Sequence, residues 1–192
     1  METHKDRAVH HFKTEAAFLK WIKAHHEQPE GIWLMFAKKG TGATSLTYEE
    51  AREVAIRYGW IDGLLSKLDD EYFMRLFSKR RPRSVWSKIN RGIAQTLIKE
   101  KRMEAPGLAE VARAKKDGRW DSAYDSPMDM RVPTWFIIKL KRDKQAYEFF
   151  KTLNKTQHYA VAFRLHNAKK EETKQNRAER FIEMFSKGEK IV

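Results

Sequence analysis

The sequence contains no cysteine. That excludes a disulfide framework, a thiolate metal site and a cysteine nucleophile, and it fits a reducing compartment. Proline and glycine are scarce, at 5 and 9 of 192 residues, which argues against disorder or low complexity. No stretch approaches the ~20 apolar residues of a membrane span. The N-terminal METHKDRAVHHFKTEAAF has no apolar core of signal-peptide length. The chain is expected to be folded and soluble and to stay in the cytoplasm.

Catalytic and metal-binding motifs are equally sparse. KKGTGATS has two glycines but lacks the Lys-Ser/Thr ending and glycine spacing of a phosphate-binding loop. GxSxG, HExxH and dinucleotide-binding patterns do not occur. The adjacent pairs His10-His11 and His25-His26 do not share a helix face, and His158 and His166 lack acids at ligand spacing. No metal and no cofactor is expected, and no catalytic residue is identified. The sequence leans away from an enzyme.

What the chain does have is aromatic bulk and positive charge. Its 11 Phe, 6 Trp and 6 Tyr, within an apolar fraction of 41%, can fill the core of one domain or of two small units. Net charge is +13. From Lys79 to Arg119, 13 Lys and Arg face 4 Asp and Glu, which places +9 of that charge in one segment. Such a field draws nucleic acid, anionic lipid or acidic protein toward it. Charge runs of this kind also serve simply to solvate helix faces.

The pattern predicts an α+β fold, with a small antiparallel sheet and helices in the N-terminal half and a helical C-terminal half. Residues 1–12 read as a polar arm. Phe18, Trp21, Ile22 and His25 define a helix over 15–26, GIWLMFAKK is a strand, and Thr47 with Glu50 forms a capping box for Tyr48–Tyr58, ended by Gly59. Two strand-like runs flank the turn residues Asp69-Asp70. Ser84 is expected to cap a helix whose inward stripe is Trp86, Ile89, Ile93 and Leu97. Helices opened by Pro106 and Pro133, capped by Asp143 and Thr156, and spanning roughly 171–187 complete the chain. A sheet-and-helix unit over 1–83 and a helical unit over 84–192, sharing a core, is the expected division.

Four stretches, TYEEAREVAIRYGWIDG, FSKRRPRSVWSKIN, GLAEVARAKKDGRWDSAYDS and NAKKEETKQNRAERF, taken together and in this order, resemble the YdeI/OmpD-associated (OmdA) family of bacteriocin-protection-like proteins. The resemblance runs from about Phe12 to Gly188. The family's usual Cys before GWIDG is missing here, and Lys79 stands where a Pro commonly precedes the first Arg. The resemblance implies an envelope-linked role in resisting cationic peptides, with a porin partner. A charge of +13 would repel polycations rather than capture them.

The residues themselves single out FSKRRPRSVWSKIN. Arg80, Arg81 and Arg83 precede Ser84, and guanidinium groups beside a helix start can clamp an anion bidentately. Ser84, Ser87, Lys88 and Asn90 extend that candidate anion-binding set. The opposing reading pairs the arginines internally with acids such as Asp62 and Asp69. Trp86 reads as core, and Trp60, Asp62 and Trp86 as a cleft or a structural clamp, with Asp62 salt-bridged to one or more of the three arginines rather than catalytic.

Three functions stay open. One is a non-catalytic module for nucleic acid or a phosphate-bearing small molecule. Another is a small-molecule enzyme with a cleft between GWIDG and the Arg80–Asn90 segment. The third is a resistance protein at the envelope. Oligomeric state is not encoded in any pattern found.

Overall fold

A computed structural model describes residues 3–125 and 130–191. The chain divides into two units, 1–123 and 124–192. This division lies well past the change of periodicity at 83/84, because the helices that follow residue 84 pack back onto the first unit. Ser126, the last residue of GLAEVARAKKDGRWDSAYDS, lies outside the described residues.

In the first unit the described strands are β1 (Thr3–His4), β2 (Arg7–His10), β3 (Ile32–Ala37), β4 (Trp60–Lys67) and β5 (Tyr72–Lys79), and the helices α1 (Glu15–His25), α2 (Tyr48–Arg57), α3 (Lys88–Lys99) and α4 (Ala105–Lys116). The sheet order is β1-β2-β3-β5-β4. The stretch read as a polar arm is therefore a hairpin. Its β2 strand pairs parallel to β3, Val9 opposite Trp33, so the sheet is mixed rather than purely antiparallel. Sequence alternation missed it because β2 is only four residues long and all four are half-buried.

The β4–β5 hairpin forms as its turn chemistry requires. The Asp69 carboxylate accepts the backbone N–H groups of Glu71 and Tyr72 at 2.8 and 2.7 Å, which closes the turn. On the sheet's inner face Ile32, Leu34, Phe36, Phe77 and Trp60 pack against Phe18 and Ile22 of α1 and Val54 and Ala55 of α2. Strand β4 is an edge, and its pairing with β5 is interrupted by a bulge between Asp62 and Leu65. Leu64 and Leu65 are both exposed.

Helix α2 begins with the Thr47/Glu50 capping box and ends where Gly59 takes φ +73°. Its other flank meets a second core, in which Ile56 joins Trp86, Ala94, Leu97, Val111, Ala114 and Trp120. Gly107 permits this approach, since a Cβ there would stand 2.8 Å from the Ile56 carbonyl oxygen. The α3 cap is Ser87, not Ser84: its hydroxyl accepts the Asn90 N–H at 3.1 Å. Starting the helix three residues later rotates the inward stripe to Asn90, Ala94 and Leu97 and leaves Ile89 exposed.

The second unit is helical among its described residues: α5 (Thr134–Leu140), α6 (Lys144–Lys151), α7 (Lys155–His166) and α8 (Glu171–Ser186). Asp143 caps α6 by accepting the Ala146 N–H at 2.9 Å. The α7 cap is Asn154, in a capping box with Gln157, rather than Thr156. Asn is as good an N-cap as Thr and lies one residue outside the first helical turn, where Thr156 already has helical neighbours. Phe136, Phe150, Val161, Leu165, Ala178, Phe181 and Phe185 form this unit's core.

Trp86 is 1% exposed and Ile89 42%. Truncating Trp86 to Ala should cost about 3–5 kcal/mol, whereas Ile89→Ala should stay within about 0.5 kcal/mol. Urea midpoints of the two variants test this, and an unchanged midpoint for Trp86→Ala would place the indole outside the core.

Candidate anion-binding site

The segment after β5 has to turn from a strand to a helix; the Ser84 N–H donates to the Arg81 carbonyl at 2.9 Å within the turn, and the neighbouring carbonyls need donors from elsewhere. Three arginines supply the donors. Arg80 Nη1 donates to the Val85 carbonyl at 3.2 Å, Arg119 Nη1 to the Ser84 carbonyl at 2.6 Å, and Arg113 Nη2 to the Arg81 carbonyl at 3.4 Å. Arg80 and Arg119 are 2% and 6% exposed. The Arg80 guanidinium lies 3.7 Å from the Trp86 ring centroid, a cation–π contact worth about 2 kcal/mol when desolvated. Trp120 meets the same indole edge-on at 4.9 Å.

One carboxylate sits within this cationic cluster. Glu110 on α4 is 7% exposed and hydrogen-bonds Arg113 one turn on. Burial pushes its carboxyl up from the ordinary value, against the pull of Arg113, Arg80, Arg119 and Lys79. Arg119 is further held by Asp117, Nε to Oδ2 at 2.7 Å. Arg119 Nη2 and Trp86 Nε1 are buried with no hydrogen-bond partner among the described residues.

The expected anion-binding residues split by role. Arg80 is buried in the clamp. Ser84 is half-buried, and its hydroxyl accepts the Arg81 N–H at 2.9 Å; Ser87 is spent on the α3 cap, and Asn90 turns inward at 7% exposure. Arg81, Arg83 and Lys88 are exposed. Neither Arg81 nor Arg83 forms an ion pair with a described acid. Their backbone is fixed from below while their charges face outward.

Asp62 does not pair with Arg80, Arg81 or Arg83. Register places it opposite Phe77, so its side chain shares a sheet face with Arg75, two residues along β5. Asp62 Oδ2 accepts from Arg75 Nη1 at 3.0 Å and from the Tyr48 hydroxyl at 2.7 Å. Asp69 is likewise used in its turn and not by the arginines. Trp60 is fully buried and donates Nε1–H to the His26 carbonyl at 2.7 Å. Trp60 and Asp62 are thus structural members of the sheet and α2 interface, apart from the arginine cluster.

Glu110, Arg113 and Arg119 were not singled out by sequence. Glu110 and Arg113 are one turn apart on α4, a spacing that reads as an ordinary surface pair. Nothing local shows that they face a loop some thirty residues earlier. Among the described residues no group of three or more His, Asp or Glu is placed to hold a metal ion, and no described helix is long and apolar enough to cross a membrane.

Two titrations check these environments. Burial and then the hydrogen bond to Asp62 push the Tyr48 phenol up to about 12. That contribution to stability is complete below pH 10 and is lost as pH rises through the folded value. Asp62→Asn should bring phenolate formation to lower pH in an absorbance titration; an unmoved curve would leave burial as the whole cause. For Glu110 the raised folded value means that ionisation costs stability as pH rises through it. The advantage of wild type over Glu110→Gln in urea should therefore shrink between pH 4 and 7. A growing advantage would show that the surrounding cations outweigh burial.

Searches among curated proteins and among solved structures give no match. Two family models do match. Residues 10–110 match a domain of unknown function, DUF8412. Residues 129–188 match the family described as Bacteriocin-protection, YdeI or OmpD-Associated. Of the four stretches that carried the resemblance to that family, only NAKKEETKQNRAERF falls inside the second match. The arginine clamp begins within the first match, at Arg80, and runs beyond it to Arg119. The chain therefore belongs to the DUF8412 family, and its helical unit is similar over residues 129–188 to the family described as Bacteriocin-protection, YdeI or OmpD-Associated.

Proposed function

We propose that the N-terminal unit is a non-catalytic binding module for a phosphate-bearing polyanion, with nucleic acid as its preferred form. One observation carries the reading. Arg81 and Arg83 stand on a loop whose carbonyls are already held by Arg113, Arg119 and Arg80, so their charges are displayed on a rigid frame and lack described acid partners. Lys88 opens α3 beside them. Four cations between Lys79 and Arg83 repel one another unless matched; Lys79 is matched by Glu27 at 2.5 Å, and Arg80 is buried against Trp86. The surplus at Arg81 and Arg83 is suited to phosphate, which guanidinium binds bidentately.

An enzyme reading has less support. Asp62, the acid in the apolar start of β4, is held by Arg75 and Tyr48 through Oδ2, and no described His or second carboxylate stands beside it as a matched acid–base partner. The match over 129–188 favours a second reading, protection against bacteriocins with an envelope or porin partner. Under that reading the chain would co-fractionate with membranes, and loss of its gene would raise bacteriocin sensitivity.

The first reading is tested with the double variant Arg81→Gln/Arg83→Gln. Its thermal midpoint should match wild type, since both side chains are exposed. Its affinity for a single-stranded oligonucleotide should fall, and the slope of log K against log salt should drop by about 1–2. Equal affinity and equal slope would leave this segment a structural clamp only.

A further inference from the structure

The helical unit holds a half-open cavity of about 630 Å³ between α7 and α8, within the range of pockets that take small organic ligands. Its ionisable lining is entirely cationic: Arg164 on α7 and Arg177 and Arg180 on α8. Arg177 reaches across the groove and donates Nη1–H to the Arg164 carbonyl at 2.5 Å. That bond fixes the guanidinium plane and leaves its other edge for a ligand. Arg180 lies one turn further along α8. Glu183, the nearest acid beyond it on that helix, is hydrogen-bonded by Lys187 at 2.7 Å and feels Arg180 only through the weaker charge interaction.

The rest of the lining is Phe163 on α7, Phe181 and Met184 on α8, and Asn167, the α7 C-cap, whose Nδ2 donates to the Phe163 carbonyl at 2.9 Å. Phe163 is half-buried and braced from two sides. Tyr124 meets it edge-on at 5.1 Å, and Tyr159 lies at 5.7 Å. A braced aromatic ring in the same groove as the fixed Arg177 guanidinium and the exposed Arg180 suits a ligand with a flat ring and a phosphate. Inorganic phosphate would leave the aromatic wall unused, and a long acyl chain would gain nothing from the planar donors.

We propose that the α7–α8 groove binds a small organic phosphate of the nucleotide class. The phosphate sits on Arg177 and Arg180, and the ring lies against Phe163 and Met184. This site is independent of the Arg81–Arg83 surface, and either can fail without the other. ADP, inorganic phosphate and dodecyl phosphate are titrated into the full-length protein by calorimetry. ADP should bind saturably and at least about tenfold more tightly than inorganic phosphate. Arg180→Gln, whose side chain is exposed, should weaken ADP by roughly tenfold with no change in the thermal midpoint. Phe163→Ala should weaken ADP but not inorganic phosphate, and Arg81→Gln/Arg83→Gln should leave ADP binding unchanged. The proposal is overturned if ADP does not bind, if Arg180→Gln binds it as wild type does, or if dodecyl phosphate binds as tightly as ADP.

Discussion

The first unit depends on a problem of unpaired backbone. Between the last residue of β5 and the cap of α3 the chain runs through Arg80–Val85 with no ladder and no helix; the Ser84 N–H reaches the Arg81 carbonyl, and the Ser84 and Val85 carbonyls are taken by side chains. Arginine is the side chain that can reach several such oxygens at once, because its guanidinium carries five donors in one plane. Three arginines from two parts of the sequence meet this need. The cost is a concentration of charge in a water-poor place, offset by the Trp86 ring under Arg80, by Glu110 and by Asp117. Without Arg113 and Arg119, both beyond residue 110, the turn would have no rigid floor, and the second core would lose its edge.

The same arrangement explains where the +13 charge goes. Part of it is consumed inside the molecule as hydrogen-bond donors to main-chain oxygen, a use in which charge strengthens each bond but acts on no partner. Part is cancelled in exposed pairs such as Lys174 with Glu171 and Lys187 with Glu183, which contribute little to stability. Of the remainder, Arg81 and Arg83 stand on the outward side of the clamped loop, and in the helical unit Arg164, Arg177 and Arg180 line a groove that has no acid in its lining.

Elements whose signals are local were legible in the sequence. The capping box at Thr47, the Asp143 cap, the Asp69-Asp70 turn and the amphipathic stripe of α8 all act over four or five residues, and each is where its chemistry put it. The failures are non-local. Residues 3–10 form strands only because β3 offers an edge to pair with, and no alternation in four half-buried residues records that. Ser84 and Ser87 are equally good caps by type, but Ser84 is held in the turn, its carbonyl by Arg119 and its hydroxyl by the Arg81 N–H, which leaves Ser87 to cap α3. Asp62 lay close in sequence to no obvious partner, and its true one follows from strand parity, which a bulge two residues later made hard to read. The candidate site was seen as a set of cations; that half of its polar groups are consumed in holding the loop follows only from tertiary packing.

The bulge in β4 has a further effect on how this sheet meets other chains. A regular edge strand carrying exposed leucines would offer a free row of main-chain donors and acceptors to any extended segment that came near. Here the ladder is regular only over Trp60–Asp62 and again over Leu65–Lys67. Each run is shorter than the five or six residues of an ordinary strand, and the kink between them rotates one out of line with the other. A foreign strand that matched either run would have to break register to match the next. The sheet thus interrupts its own edge by geometry at the place where its exposed leucines most invite pairing.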